Sequence, residues 1–385
     1  MKNKKIFIVA GEVSGDIRGF ELIEKLLQKS PDLKIDSVGG KRMKQAGANI
    51  LFDITKLAVV GFVEVLRHYF DFKQLMNDVI DTLKKNDYSA IILIDYPGFN
   101  LRLAENIKHL GIPVIYYVSP QVWAWGRKRI SKIAGLVDKM IVFFEFEKDL
   151  YSPYGLDTDF VGHPMVDMIA DYKAKNLREI LNIEKKIKII GLLPGSRTKE
   201  VEKILPSMIE AIKLHESEID KNDPNRFVFI ISAAQKNLEV IIKNYLDEKE
   251  ITDVKVYSDD VSDIMSSSDI VVVASGTATL QSCLFERPMI IVYKVAFLTW
   301  LIAKVLVKIP YIGMVNVISR KKIVPELIQW DLNGENILKE IKKYITDEKY
   351  TKKTVNELCN VKKRLGSGGA ASKAASSIID FLNMD

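Results

Sequence analysis

The stretch Lys188-Ile189-Ile190-Gly191-Leu192-Leu193-Pro194-Gly195-Ser196-Arg197 is an apolar run that stops at a Pro-Gly-Ser turn and passes into a helical pattern. A short apolar run bounded by turn residues reads as a buried strand, so this is a strand-to-helix junction. The same punctuation recurs on both sides. Downstream, strands are expected at Phe227–Ile231, Val254–Val256, Ile270–Val273 and Met289–Val292. Upstream they are expected at Ile6–Ala10, Ile35–Val38, Ala90–Ile94, Val114–Val118, Lys139–Phe143 and Asp159–Val161. Helical patterns such as Gly15–Gln28, Asp71–Lys84 and Leu101–His109 lie between them. This alternation predicts an α/β fold of parallel strands covered by helices. Because the series restarts at 188, two Rossmann-like domains are expected, over residues 1–170 and 187–365. The polar, lysine-rich stretch 171–186 is the natural linker, and residues 366–385 hold a last helix after the break Gly366-Ser367-Gly368-Gly369. Ligands of open α/β sheets bind outside the carboxyl ends of the strands, which predicts a cleft between the two halves.

Composition narrows the function. The 385 residues are 48% hydrophobic and 28% charged, ordinary values for a folded protein with sizeable cores. The net charge of +6 permits anionic partners without arguing for nucleic acid. Cys283 and Cys359 form no Cys/His cluster, so neither a disulfide framework nor a zinc site is expected, which fits a reducing cytoplasm. The basic start is followed by an apolar run, Ile6–Ala10, too short for a signal peptide. Val295–Ile312 is interrupted by Lys304, Lys308 and Pro310, so no spanning helix is expected. No G-x-G-x-x-G follows a strand and no G-x-x-x-x-G-K-[ST] occurs, which disfavours a dehydrogenase and an ATPase.

Two loops suit phosphate. Gly195 and Ser196 let backbone amides approach an anion at a helix N-terminus, and Arg197 adds a cation. Ser275, Gly276 and Thr277 follow Ile270–Val273 in the same way, with Gln281 one turn further on. Two such loops in one sheet point to a nucleotide diphosphate; the plain alternative is a pair of ordinary turns. In the first half, Asp95 ends an apolar strand in Ile94-Asp95-Tyr96-Pro97-Gly98-Phe99-Asn100, where a carboxylate can serve as general base or cap the helix from Phe99. Glu12, Ser14 and Asp16 follow the first strand and line the same expected cleft, with Ser14 or Asp16 as alternative N-caps.

Other features read more plainly. His163 at the hinge is a lone, structural histidine. Asp157-Thr158-Asp159 matches a metal-binding D-x-D pattern but precedes a strand, so it is taken as chance. Trp123, Trp125, Arg127, Lys128 and Arg129 read as packing beside a solvated face. Arg287 to Lys322 holds seven basic and no acidic residues. Around apolar Val295–Val307 this is either a buried helix or a contact with an anionic membrane surface through Lys294, Trp300, Lys304, Lys308, Lys321 and Lys322.

Together these segments resemble the lipid-A-disaccharide synthase family of inverting glycosyltransferases. The resemblance is carried by Val9-Ala10-Gly11-Glu12-Val13-Ser14-Gly15-Asp16, Gly61–Leu66, Tyr117-Val118-Ser119-Pro120-Gln121-Val122-Trp123-Ala124-Trp125, Val161–Pro164, Leu193–Arg197, Ser275–Thr277 and Val324–Leu327. It implies two Rossmann-like domains of the GT-B type facing a central cleft. It also implies transfer of 2,3-diacylglucosamine from UDP-2,3-diacylglucosamine to 2,3-diacylglucosamine 1-phosphate, giving the β(1→6) disaccharide 1-phosphate and UDP. Asp95 falls on the family's catalytic Asp, Arg197 on its essential Arg and Asn316 on a third polar position. No metal or other cofactor is implied. The expected location is cytoplasmic, peripheral on the inner membrane, with a C-terminal segment that returns to the first domain and can exchange in a homodimer. Two departures stand out: Gly98 where many members carry a second Asp, and Gln281 where many carry the Glu that meets the donor ribose. The competing readings are a UDP-sugar 2-epimerase and a non-catalytic nucleotide-sensing or membrane-docking protein.

Overall fold

The computed structural model describes residues 4–53, 69–218, 226–252, 254–296, 300 and 310–383. Gly61–Leu66, Lys304 and Lys308 lie outside the described residues. The chain divides into two compact units, Met1–Asp167 with Leu365–Asp385, and Met168–Arg364.

The first unit is built on seven parallel strands: β1 (Lys5–Ala10), β2 (Lys34–Val38), β3 (Asn49–Phe52), β4 (Ala90–Ile94), β5 (Val114–Tyr117), β6 (Lys139–Val142) and β7 (Asp157–Phe160), in the order β3-β2-β1-β4-β5-β6-β7. Alternate residues of β1 face opposite ways, and both ways are buried. Phe7 and Val9 enter one apolar cluster, Ile6, Ile8 and Ala10 the other. A strand covered on both faces must be apolar throughout, which is why these segments read as unbroken runs. The helix Ala370–Asn383 belongs to this unit: Ala374, Ala375, Ile378 and Leu382 complete the second cluster beside Leu22, Ile23 and Leu26 of helix Val13–Lys29. Asp167 caps it, accepting from the amides of Gly369 (2.6 Å) and Ala370 (3.1 Å).

The second unit has six parallel strands: β8 (Lys188–Leu193), β9 (Phe227–Ser232), β10 (Val254–Tyr257), β11 (Ile270–Ala274), β12 (Met289–Tyr293) and β13 (Glu326–Ile328), in the order β10-β9-β8-β11-β12-β13. Each sheet is thus Rossmann-like.

Three expectations need correction. Asp157 and Asp159 do not precede a strand but lie within β7, where both carboxylates hold the buried Lys139 ammonium (2.5 and 2.9 Å). The stretch 171–186, expected as the linker, belongs to the second unit: Asp263 accepts from the Tyr172 hydroxyl (2.9 Å) and the Lys175 amide (2.7 Å). The edge strands β3 and β13 were not expected; each is short and lacks an all-apolar run. Among the described residues no helix is long and apolar enough to cross a membrane.

Candidate active site

Strand order reverses between β1 and β4 in the first sheet, the switch point at which open α/β sheets bind ligands. The two strand ends there carry Gly11-Glu12 and Asp95-Tyr96. Asp95 (φ 49°) and Tyr96 (φ 43°) are both left-handed, at a cost of roughly 1–2 kcal/mol each for non-glycine residues. Side chains hold this turn. The Asp95 carbonyl accepts from the Tyr116 hydroxyl (2.6 Å) and Asn100 Nδ2 (2.8 Å), and Asn100 Nδ2 also reaches the Ile94 carbonyl (3.1 Å).

The N-cap of helix Pro97–Ile107 is Tyr96, so Asp95 is not the cap. Burial raises the Asp95 carboxyl above the ordinary Asp range, partly offset by the Tyr96 N–H. Glu12 is also raised, by desolvation first and then by Asp95. Both carboxyls at these adjacent strand ends are thus raised, Glu12 while still exposed at the surface. Gly11 is required here: a Cβ would stand 2.0 Å from the Tyr96 ring. Ser14 is exposed in the first turn of helix Val13–Lys29.

Asp16 departs from the expectation. It is buried, and its carboxylate accepts from the amides of Gly40 (2.8 Å), Arg42 (3.1 Å) and Met43 (3.2 Å), so it ties down the helix Lys41–Gln45 instead of facing a ligand.

The segment after β5 starts with Val118 at φ 73°, an outlier for a β-branched residue. Ser119 shares a buried hydrogen bond with the Tyr151 hydroxyl (2.9 Å). Beneath them Glu147, 2% exposed, accepts from the Phe144 amide (3.2 Å). Burial pushes its carboxyl up to about 8 despite that bond. The buried Trp123 indole N–H faces Glu147 without reaching hydrogen-bond geometry. His163 is structural: burial, then Arg18, push it down to about 4, and its Nδ1 accepts from the Met165 amide (3.2 Å).

In the second sheet the order reverses between β8 and β11, and the two phosphate-type loops follow these two strands. Gly195 is left-handed (φ 127°), and a Cβ there would collide with the Glu200 carboxylate, which accepts from the Ser196 amide (3.2 Å). Arg197 is solvent-exposed and, among the described residues, makes no ion pair. Gly276 and Thr277 are exposed at the start of helix Thr277–Leu284, with Ser275 Oγ donating to the Ile312 carbonyl (3.3 Å).

Two assigned positions turn inward. Gln281 is buried with its Nε2 donating to Ser262 Oγ (2.7 Å), so one of its amide protons is engaged inside the unit. Asn316 is fully buried: Nδ2 donates to the Val324 carbonyl (3.0 Å) and Glu326 Oε1 (2.8 Å), and Oδ1 accepts from the amides of Ile323 (2.8 Å) and Val324 (3.1 Å). That is an internal clamp, not a ligand contact. Of the expected membrane residues, Lys321 is paired with Glu357 (2.6 Å), Lys322 is exposed and Lys294 is half-buried. Trp300 packs edge-on against Trp330 (4.9 Å), which is 66% exposed and was not expected. Asn100, Tyr116 and Glu147 were missed as well. They sit in apolar or helical runs, and only Asn100, five residues beyond Asp95, lies in a segment the sequence flags.

The family model for lipid-A-disaccharide synthetase matches residues 6–378. The Legionella pneumophila lipid-A-disaccharide synthase 1 is 38% identical over 380 residues, covering 98% of this chain and 96% of that protein. The lipid-A-disaccharide synthase of Geobacter metallireducens is 36% identical over 381 residues, covering 99% and 98%. Among solved structures, the UDP-GlcNAc 2-epimerase from Neisseria meningitidis, bound to UDP-GlcNAc, superposes with a TM-score of 0.61 at 12% identity, covering 98% and 100%. At that identity the likeness speaks to the fold.

Proposed function

The chain belongs to the lipid-A-disaccharide synthetase family and is a glycosyltransferase of lipid A biosynthesis, and from that premise we propose how its residues carry out the transfer. The donor is UDP-2,3-diacylglucosamine and the acceptor 2,3-diacylglucosamine 1-phosphate. Asp95 takes the proton from the acceptor 6-hydroxyl as that oxygen attacks the anomeric carbon. The bond to the UDP oxygen breaks on the opposite face, which inverts the configuration and gives the β(1→6) disaccharide 1-phosphate. Negative charge gathers on the departing diphosphate, where Arg197 and the amides of Gly195, Gly276 and Thr277 stabilise it as preorganised donors, those of Ser196 and Ser275 being given to Glu200 and the Val292 carbonyl. No metal takes part in this scheme.

The observation that carries the reading is the Asp95 carboxyl: it ends a central strand at a switch point, is not the helix cap, and is made more basic by burial. Glu12 at the neighbouring strand end is raised in turn, by desolvation and then by the Asp95 charge. Peripheral attachment to an anionic inner-membrane face uses Lys322 and Trp300, with the exposed Trp330 adding an amphipathic aromatic ring. The helix Ala370–Asn383 is the segment a homodimer would exchange.

The test is direct. Purified protein given both substrates should yield the disaccharide by mass spectrometry, and Asp95→Asn should lower turnover by about 10²–10⁴ with UDP affinity unchanged. An epimerised UDP-sugar with no disaccharide would replace this reading by a 2-epimerase. Near-normal turnover in a folded Asp95→Asn protein would move the base to Glu12.

A further inference from the structure

An apolar strand that ends normally leaves its next residue extended, and no side chain is needed to hold it. The end of β4 is different. Two consecutive non-glycine residues, Asp95 and Tyr96, are left-handed, and Val118 at the end of the adjacent β5 is left-handed too. Such conformations persist only where the surroundings over-determine them. Here two buried side chains converge on one carbonyl oxygen. Tyr116 and Asn100 are both fully buried, and both donate to the Asp95 carbonyl, at 2.6 and 2.8 Å.

Asn100 is the more telling of the two. Its Nδ2 spans the successive carbonyls of Ile94 and Asp95, while its Oδ1 is buried without a partner. An orphaned buried acceptor is a poor choice for packing alone, since an apolar side chain of similar size fills the same space without the penalty. The residue makes sense if its two amide protons are what the position requires. With the Asp95 amide donating to the Tyr117 carbonyl (3.0 Å), the peptide groups on both sides of the Asp95 Cα are fixed, and with them the direction of its Cα–Cβ bond, from which the carboxyl projects.

We infer that Asn100 and Tyr116 are positioning residues that hold the Asp95–Tyr96 turn in its left-handed form and so aim the Asp95 carboxyl at the acceptor hydroxyl. The inference rests on Asp95 being the base. Neither side chain touches substrate; both act through Asp95. Without them the turn relaxes toward the extended form and the carboxyl swings away from the geometry that proton transfer needs.

The experiment is a double-mutant cycle on full-length enzyme with both substrates. Tyr116→Phe removes one hydroxyl and keeps the ring, so the fold is preserved, and Asn100→Ala is the companion. Each should lower kcat about tenfold and the double variant about a hundredfold, with donor KM unchanged. In an Asp95→Asn background, Tyr116→Phe should cost nothing further, because the group it positions no longer takes the proton. A second readout needs no turnover: the carboxyl of Asp95, followed by carbon NMR in aspartate-labelled protein, should titrate closer to an ordinary Asp in both variants. Unchanged kcat in both single variants, or a loss that multiplies in full on top of Asp95→Asn, overturns the inference. If wild-type protein forms no disaccharide, the functional reading fails instead. The NMR arm then still decides whether Asn100 and Tyr116 control the Asp95 environment.

Discussion

Replacing Glu147 by Gln should stabilise the first unit at neutral pH and remove most of its loss of stability between mildly acid and mildly alkaline conditions. In the unfolded chain this carboxyl titrates near 4.5; folded, burial pushes it up to about 8. Between those values the native state keeps a proton that the unfolded state has released, so raising the pH favours unfolding. Stability is intact below the unfolded value, falls steadily above it, and levels off past about 8, where the native carboxyl ionises too. At pH 7 the penalty is about 3 kcal/mol, at 1.36 kcal/mol for each unit of pH above the unfolded value. Gln has the same shape and still accepts from the Phe144 amide, but it has no proton to hold. The assay is urea unfolding at several pH values from 5 to 8.5, in a Trp300→Phe, Trp330→Phe background so that fluorescence reports the unit that contains Trp123. The difference in unfolding free energy between the two proteins should widen by about 2.5 kcal/mol from pH 5 to pH 7. Parallel pH profiles would refute the reasoning, because they would mean that Glu147 ionises alike in the folded and unfolded states.

Arg197→Ala should fold normally and lose about 10²–10³ in turnover, the worth of one preorganised donor to a leaving group's charge; excess chelator should leave the wild-type rate intact. Asn316→Ala should destabilise the second unit by about 2–4 kcal/mol, since it strands the Ile323 and Val324 amides and one contact of Glu326 in a buried site. A urea midpoint shift worth under 1 kcal/mol would return Asn316 to the list of ligand contacts. Vesicles rich in anionic lipid should sediment the wild-type protein less as salt rises, and Lys322→Glu with Trp330→Ala should weaken that binding; equal sedimentation would remove this surface from the membrane reading.

How much of this was legible depended on whether a residue's neighbours were close in sequence. Central strands such as Ala90–Ile94 are buried on both faces and announce themselves as continuous apolar runs. The edge strand Glu326–Ile328 has three residues and a charged start, and only its pairing with β12 makes it a strand. The loops at Gly195 and Ser275 were visible because strand, small residues and helix follow one another directly. Gln281 looked like a ligand contact because a polar residue near such a loop advertises hydrogen bonding but not its direction, and Asn316 only because it falls on a polar position of the family the chain resembles. Their partners come from Ser262, 19 residues back, and from Val324 and Glu326 ahead, which only the fold brings alongside. Asp16 was ambiguous for the same reason, its three amide partners lying beyond the next strand. The strained turn at Asp95 had only a weak signal: aspartate is among the residues that tolerate a positive φ, but tyrosine is not, and nothing marks two such residues in succession.

The division of the chain also sets a timetable. The second unit is one unbroken run from Met168 to Arg364, whereas the first is finished only by residues 365–385. On a ribosome adding about 5–20 residues per second, the sheet carrying Asp95 waits about 10–40 s for its last helix. Throughout that interval the face that receives Ala374, Ala375, Ile378 and Leu382 is bare, and burying Ile378 and Leu382 contributes about 3–6 kcal/mol. The earlier-made half is therefore completed last, and a chain cut short near Arg364 presents a greasy, half-built sheet to whatever holdase or protease reaches it first.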